Sequence, residues 1–142
     1  MEWLRASASM PVVSKVVEVD GYRLLDGGIT DAVPYAFMHQ LGYDRQVIVL
    51  TQPEGYRKKP TGWAIPAMLR RTPNLAKAMA ERHRMYNRQM DEIDQMDALV
   101  IRPPEALGIG RTENRPAELK RVYQMGRAEA EKRIDEVDNW LM

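Results

Sequence analysis

Cysteine is missing from all 142 residues, which removes disulfides, thiolate nucleophiles and zinc sites built on cysteine, and is compatible with a reducing, cytoplasmic setting. Histidine occurs only at positions 39 and 83, without metal-ligand spacing around either. No metal and no cofactor are expected. Serine is almost as scarce: Ser7, Ser9 and Ser14 are the whole supply, and none stands between glycines as a nucleophile elbow requires. The nine glycines form no cluster able to cradle a phosphate or an oxyanion, and Gly108-Ile-Gly110 is too sparse. No apolar run approaches the roughly 18 residues that suggest a membrane-crossing helix. The opening Met-Glu-Trp-Leu-Arg lacks the basic and then apolar build of a secretory signal. Charge of either sign is not in excess: 21 Lys and Arg face 20 Asp and Glu, for a net +1, so nothing argues for nucleic acid as a partner. Repeats of fixed period and low-complexity tracts are also absent.

What is present centres on Tyr22-Arg-Leu-Leu-Asp-Gly-Gly-Ile-Thr-Asp-Ala-Val-Pro34. An apolar strand there delivers one carboxylate, Asp26, into a turn made by Gly27 and Gly28. Without Cβ atoms these two glycines can take positive φ and let another chain or a substrate come close. Pro34 suits the first turn of a following helix. A strand-ending turn with a solvated aspartate has the same local signature, so Asp-Gly-Gly alone does not decide between structure and chemistry. Asp31, five residues on, can cap the next helix or orient the Asp26 loop.

Upstream, residues 2–10 can form a short helix stopped by Pro11. Val16–Val19 and Tyr22–Leu25 flank Asp20-Gly21, a strong two-residue hairpin signal. Residues 34–42 read as a helix closed by Gly42. Gln46–Thr51 is an unbroken apolar run, which fits a strand covered on both faces with parallel neighbours. Prolines and glycines then punctuate the chain, leaving at most a short helix at 67–71. Arg57, Lys58, Lys59, Arg70 and Arg71 make this the most basic region, either a solvated surface or a patch for anionic headgroups. A long helix is expected from Asn74, as N-cap, to about Met96, with Leu75, Met79, Tyr86, Met90 and Ile93 at helical spacing and Arg82 interrupting the stripe. Ala98–Ile101 reads as a second short strand. After a loop at 105–115, a last helix from Pro116 to Leu141 offers Leu119, Val122, Gly126, Ala130, Ile134, Val137 and Leu141 on one side and alternating charges on the other. Strands alternating with helices indicate an α/β layered fold.

Leu4-Arg-Ala-Ser-Ala-Ser-Met-Pro11, continued through Asp-Gly-Gly-Ile-Thr-Asp-Ala-Val-Pro34, resembles the patatin-like phospholipase family, particularly its bacterial branch. Val47–Thr51 with Gly55–Pro60, Arg82–Asn87 and Val100–Pro103 look similar as well, extending the resemblance over nearly the whole chain. It implies a partial three-layer α/β/α domain, with residues 1–142 as its C-terminal portion, lacking the N-terminal strands and the nucleophile elbow. It further implies a Ser–Asp dyad acting on lipid or acyl-ester substrates, in which Asp26 is the catalytic base and Gly27 and Gly28 its active-site turn.

The serine inventory sets the limit. The nucleophile, in a Gly-x-Ser-x-Gly elbow, has to come from a missing N-terminal half, so the chain alone is expected to be inert. A cloned fragment, a proteolytic product and a natural gene split all remain open. A strand edge or face that such a half covers is expected to drive self-association in its absence. Peripheral membrane contact is compatible with a lipid substrate. The competing reading is a non-catalytic binding or assembly module that keeps only the scaffold; a self-contained metal or cofactor enzyme ranks last.

Overall fold

A computed structural model describes residues 1–11, 13–110 and 112–142. In chain order its elements are α1 (Glu2–Ser7), β1 (Val17–Val19), β2 (Tyr22–Leu24), a 3₁₀ turn (Gly27–Ile29), α2 (Tyr35–Gln40), β3 (Val47–Val49), α3 (Ala64–Met68), α4 (Pro73–Ile93), β4 (Leu99–Ile101) and α5 (Pro116–Leu141). The architecture is mixed α/β. The elements group into two compact units, residues 1–34 with 57–94 and residues 35–56 with 95–142.

In the first unit the expected hairpin forms. Asp20 and Gly21 both take left-handed φ, at 50° and 81°, which matches a tight two-residue turn to the twist of its strands. β1 and β2 pair antiparallel with Val17 opposite Leu24 and Val19 opposite Tyr22. Val17 and Val19 therefore share one face, and with Ala6 of α1 they form a buried cluster against which Leu24 packs. A lone hairpin is marginal in water, and α1 gives this one its apolar cover.

α3 begins at Ala64, three residues before the expected start, because the Trp63 carbonyl already accepts the Ala67 N–H at 3.2 Å. α4 starts at Pro73, a residue suited to a first helical position, and not behind Asn74 as N-cap. Thr72 holds the cap position without capping; its hydroxyl donates to the Leu69 carbonyl at 3.1 Å. Tyr86, Gln89, Met90 and Ile93 form the buried face of α4. The 57–63 segment is pinned along this helix. Asn87 accepts the Lys58 N–H at 2.8 Å and donates to the Lys58 carbonyl at 3.1 Å, and the Thr61 hydroxyl donates to the Met79 carbonyl at 3.0 Å.

In the second unit β3 and β4 pair in parallel, Ile48 opposite Val100. Gln46 is buried just ahead of β3, and its amide donates to the carbonyls of Tyr35 and Tyr43, fixing the chain around α2. Gly42 closes α2 with φ 88°, as expected of a C′ glycine. The unbroken apolar run 46–51 is not covered on both faces: Ile48 and Leu50 are buried, whereas Val49 is 71% exposed. The run reports the chemistry of two faces, and only one is covered within this chain.

α5 packs on β4. Its covered face is rotated from the expected stripe: Val122, Met125, Glu129, Arg133, Val137 and Trp140 are half-buried, while Leu119, Ile134 and Leu141 are exposed. Charged residues on the covered face are paired with neighbours along the helix, and Arg133 also donates to the Val100 carbonyl of β4 at 3.5 Å. Glu129 accepts from Lys132 at 3.3 Å, and Arg133 is paired with Glu136. At the helix C-terminus Arg45 donates to the Trp140 carbonyl at 3.3 Å, a favourable cation for the last turn.

Candidate functional site around Asp26

Asp26 leaves β2 after Leu25 with an extended backbone, φ −50° and ψ 123°, and its side chain turns back to cap the 3₁₀ turn. Oδ1 accepts the Gly28 N–H at 2.7 Å. The Asp26 N–H donates to the Ser9 carbonyl at 2.9 Å, tying the end of α1 to the acid. The carboxyl group is thus held at both its backbone and one of its oxygens, and the residue is half-buried.

The two glycines play different parts. Neither Gly27 nor Gly28 takes positive φ. Gly28 is needed for close approach, since a Cβ there would stand 3.0 Å from Asp26 Oδ1. Gly27 meets nothing within 4 Å and instead lines the cleft next to Asp26.

That cleft, of about 390 Å³, is walled on the hairpin side by Val16, Leu25 and Ile29 and on the α4 side by Leu75 and Ala78. Arg23 and Asp26 are its charged members, with Thr30 and Thr72 contributing hydroxyls. A carboxylate with one oxygen anchored, on a largely apolar wall, can accept a proton from a hydroxyl brought to it while the wall takes hydrocarbon.

Two residues of α4 that sequence reasoning did not place at the site hold the turn. Arg82 Nε donates to the Gly28 carbonyl at 2.7 Å. Gln89, buried, donates through Nε2 to Asp31 Oδ1 at 2.6 Å and to the Val33 carbonyl at 3.1 Å. Asp31 therefore anchors the loop to α4. The available signal was the polar interruption of an apolar helical stripe: Arg82 and Gln89 are seven residues apart, two turns along one face.

No serine lines the cleft among the described residues. Ser9 is buried and its hydroxyl donates to the Arg5 carbonyl at 2.8 Å, while Ser7 and Ser14 are exposed. His39 lies 3.7 Å from Asp44 at the surface and His83 contacts the Ala80 carbonyl at 3.0 Å, and neither is among the residues that line the cleft. Among the described residues no group of His, Cys, Asp and Glu could hold a metal ion, and no helix is long and apolar enough to cross a membrane.

Residues 72–142, half of the chain, match the family model described as a domain of unknown function (DUF6363). The chain belongs to that family. The DUF6363 region takes in α4, β4 and α5. Residues 1–39 match a second model, patatin-like phospholipase, which relates the stretch from α1 through the Asp26 turn to a lipid-hydrolase family. The patatin-like match includes Asp26, Gly27 and Gly28 and ends at residue 39, ahead of Val47–Thr51, Gly55–Pro60, Arg82–Asn87 and Val100–Pro103. Arg82 and Gln89 belong to the DUF6363 region, so in this chain the turn matched by one family is held by a helix matched by the other. No curated protein matches the chain.

Proposed function

We propose that this chain supplies the general base of a patatin-like serine acyl hydrolase of the bacterial type, and that the serine comes from a separate or preceding segment bearing Gly-x-Ser-x-Gly. What carries the reading is Asp26: inside the patatin-like match, it is half-buried on the wall of an apolar cleft with one carboxylate oxygen held by Gly28. Asp26 takes the serine proton as the hydroxyl oxygen attacks the acyl carbonyl. The protonated acid then returns that proton to the departing alcohol, leaving an acyl-enzyme, and the same carboxylate activates the hydrolytic water. Substrates are acyl esters of phospholipids or related lipids, and the chain alone is inert. The domain it completes is a three-layer α/β/α fold, cytoplasmic or peripheral to a membrane. The open β3 face is where the completing segment sits or, without it, where copies self-associate.

Joining the chain to a segment that carries the serine elbow and assaying a short acyl ester tests the assignment. Asp26→Asn should lower kcat/KM by about 10²–10⁴-fold, the usual worth of a positioned base. Full activity in that variant would refute the role.

A second reading is favoured by the serine positions, all three off the cleft: a binding or assembly module that keeps the scaffold without the chemistry. Absence of turnover with every elbow-bearing segment, together with stable complex formation, would select it.

A further inference from the structure

Between Glu54 and Glu81 the chain carries six basic side chains and no acidic one, leaving 15 of its 21 basic residues to face all 20 acidic residues elsewhere. The near-neutral total therefore hides a strong local asymmetry. Two of the six are engaged internally: Arg57 pairs with Asp91 at 2.6 Å, and the Lys58 ammonium lies 3.7 Å over the Tyr86 ring. The other four, Lys59, Arg70, Arg71 and Lys77, are exposed and make no ion pair among the described residues.

At the centre of this segment stands an apolar knob. Ile65 and Leu69 turn inward and are half-buried, while α3 shows the opposite side to solvent, with Ala64 and Ala67 between Trp63 at 84% exposure and Met68 at 65%. A tryptophan this exposed, in a segment whose basic residues at 59, 70, 71 and 77 make no ion pair among the described residues, is costly in water and well matched to the boundary of a bilayer, where indole favours the headgroup level and lysine and arginine reach phosphates. The knob is displayed on a fixed base, because the Asn87 and Thr61 hydrogen bonds clamp the preceding segment to α4.

We propose that Trp63 and Met68, with Lys59, Arg70 and Arg71, form a docking surface for an anionic lipid bilayer. The surface and the cleft share the Arg71–Thr72 peptide, since Thr72 lines the cleft and both lie in one unit. An acyl ester at the bilayer surface would thus meet the Asp26 cleft beside the point of contact. The inference rests on the lipid-hydrolase reading for its purpose, while its test needs no turnover.

The full chain is mixed with vesicles of phosphatidylcholine and with vesicles of an equimolar phosphatidylcholine and phosphatidylglycerol mixture, and bound protein is measured by co-sedimentation and by quenching of tryptophan fluorescence with brominated lipid. Anionic vesicles should bind the protein far better than neutral ones, and high salt should weaken the binding. Trp63→Phe should remove most of the quenching, which separates Trp63 from Trp3 and Trp140. Trp63→Ala should weaken binding on the order of tenfold. Arg70→Ser with Arg71→Ser should weaken it about thirtyfold, from about fivefold per cationic side chain near a charged surface. Asp26→Asn should bind vesicles like the parent, so a failed hydrolase assay and a failed docking surface are told apart. Equal binding to the two vesicle types, absence of binding to both, or binding of a single-stranded oligonucleotide in place of anionic vesicles would overturn the proposal.

Discussion

A methyl group added at Gly28 would be felt first by the acid it is meant to serve. Its Cβ would lie 3.0 Å from Asp26 Oδ1, against the 3.4 Å at which ordinary contact begins, so the carboxylate has to retreat by a few tenths of an ångström. The oxygen that retreats is the one accepting the Gly28 N–H at 2.7 Å. A hydrogen bond to a charged acceptor contributes about 1.5–3 kcal/mol, and losing a third to a half of it costs about 1 kcal/mol. Replacing glycine by alanine also restricts the unfolded chain, which returns about 0.4–1 kcal/mol where the native backbone tolerates a side chain. Gly27 supplies the internal control: its φ is not positive and a Cβ there meets nothing within 4 Å, so it receives the entropic gain without the clash. Gly27→Ala should therefore be more stable than Gly28→Ala by about 1 kcal/mol, or roughly 3–4 °C in Tm for a chain of this size. Thermal and urea unfolding of both variants measure the difference. In the complemented esterase, Gly28→Ala should lower kcat by shifting Asp26, whereas Gly27→Ala, placing a methyl in the cleft, should raise KM. Equal stability of the two variants, or a less stable Gly27→Ala, would refute the argument that the second glycine exists to admit the carboxylate.

Gln89→Leu removes the 2.6 Å donor from Asp31 and should destabilise the chain by about 2 kcal/mol in urea; an unchanged midpoint would mean the loop is held without it. Ile93, 1% exposed, should cost about 2–5 kcal/mol when truncated to alanine, and a cost below 1 kcal/mol would show that the site collapses around the cavity. Val49→Lys, at a position 71% exposed, should leave stability intact and reduce self-association in sedimentation; unchanged association would place the contact elsewhere. The Arg115 side chain and N–H hold the Glu113 carboxyl down to about 2 from 4.5, so whatever this pair contributes to stability is present above the ordinary carboxylate range and is lost as pH falls through about 2. Carboxyl NMR on Arg115→Gln should show Glu113 titrating closer to 4.5, and a midpoint that stays near 2 would assign the shift to other donors.

Local signals in this chain were legible and distant ones were not, and the split follows from where each residue's partner lies. Asp20-Gly21 and Gly42 announce their turns because the backbone conformation they allow is their own property. Asp26 could be found at the end of β2 for the same reason. Gly28 was legible only as a position that wants no Cβ, since a glycine does not say whether backbone twist, a substrate or a neighbouring atom excludes it. Arg82 and Gln89 bond residues 54 and 58 positions earlier, and no local pattern names such a partner. What local pattern does show is the anomaly, a polar group where a helix should bury an apolar one, because such a group is retained only if something satisfies it.

α5 reverses that lesson. Its apolar stripe through Leu119, Ile134 and Leu141 is left exposed, while Glu129 and Arg133 lie on the covered side. Long charged side chains can lay their stems across a sheet and keep their heads paired, so burial there follows available partners more than hydropathy. The same reasoning applies to β3, whose unbroken apolar run leaves Val49 in solvent. In the proposed hydrolase, the segment that brings the serine covers this β3 face. A docked segment that completes the β3 side should therefore protect the Val49 face from solvent and raise the stability of the parallel pair. Hydrogen exchange of the β3 and β4 amides, slowed by such a segment and unaffected by Val49→Lys alone, is the outcome this argument requires.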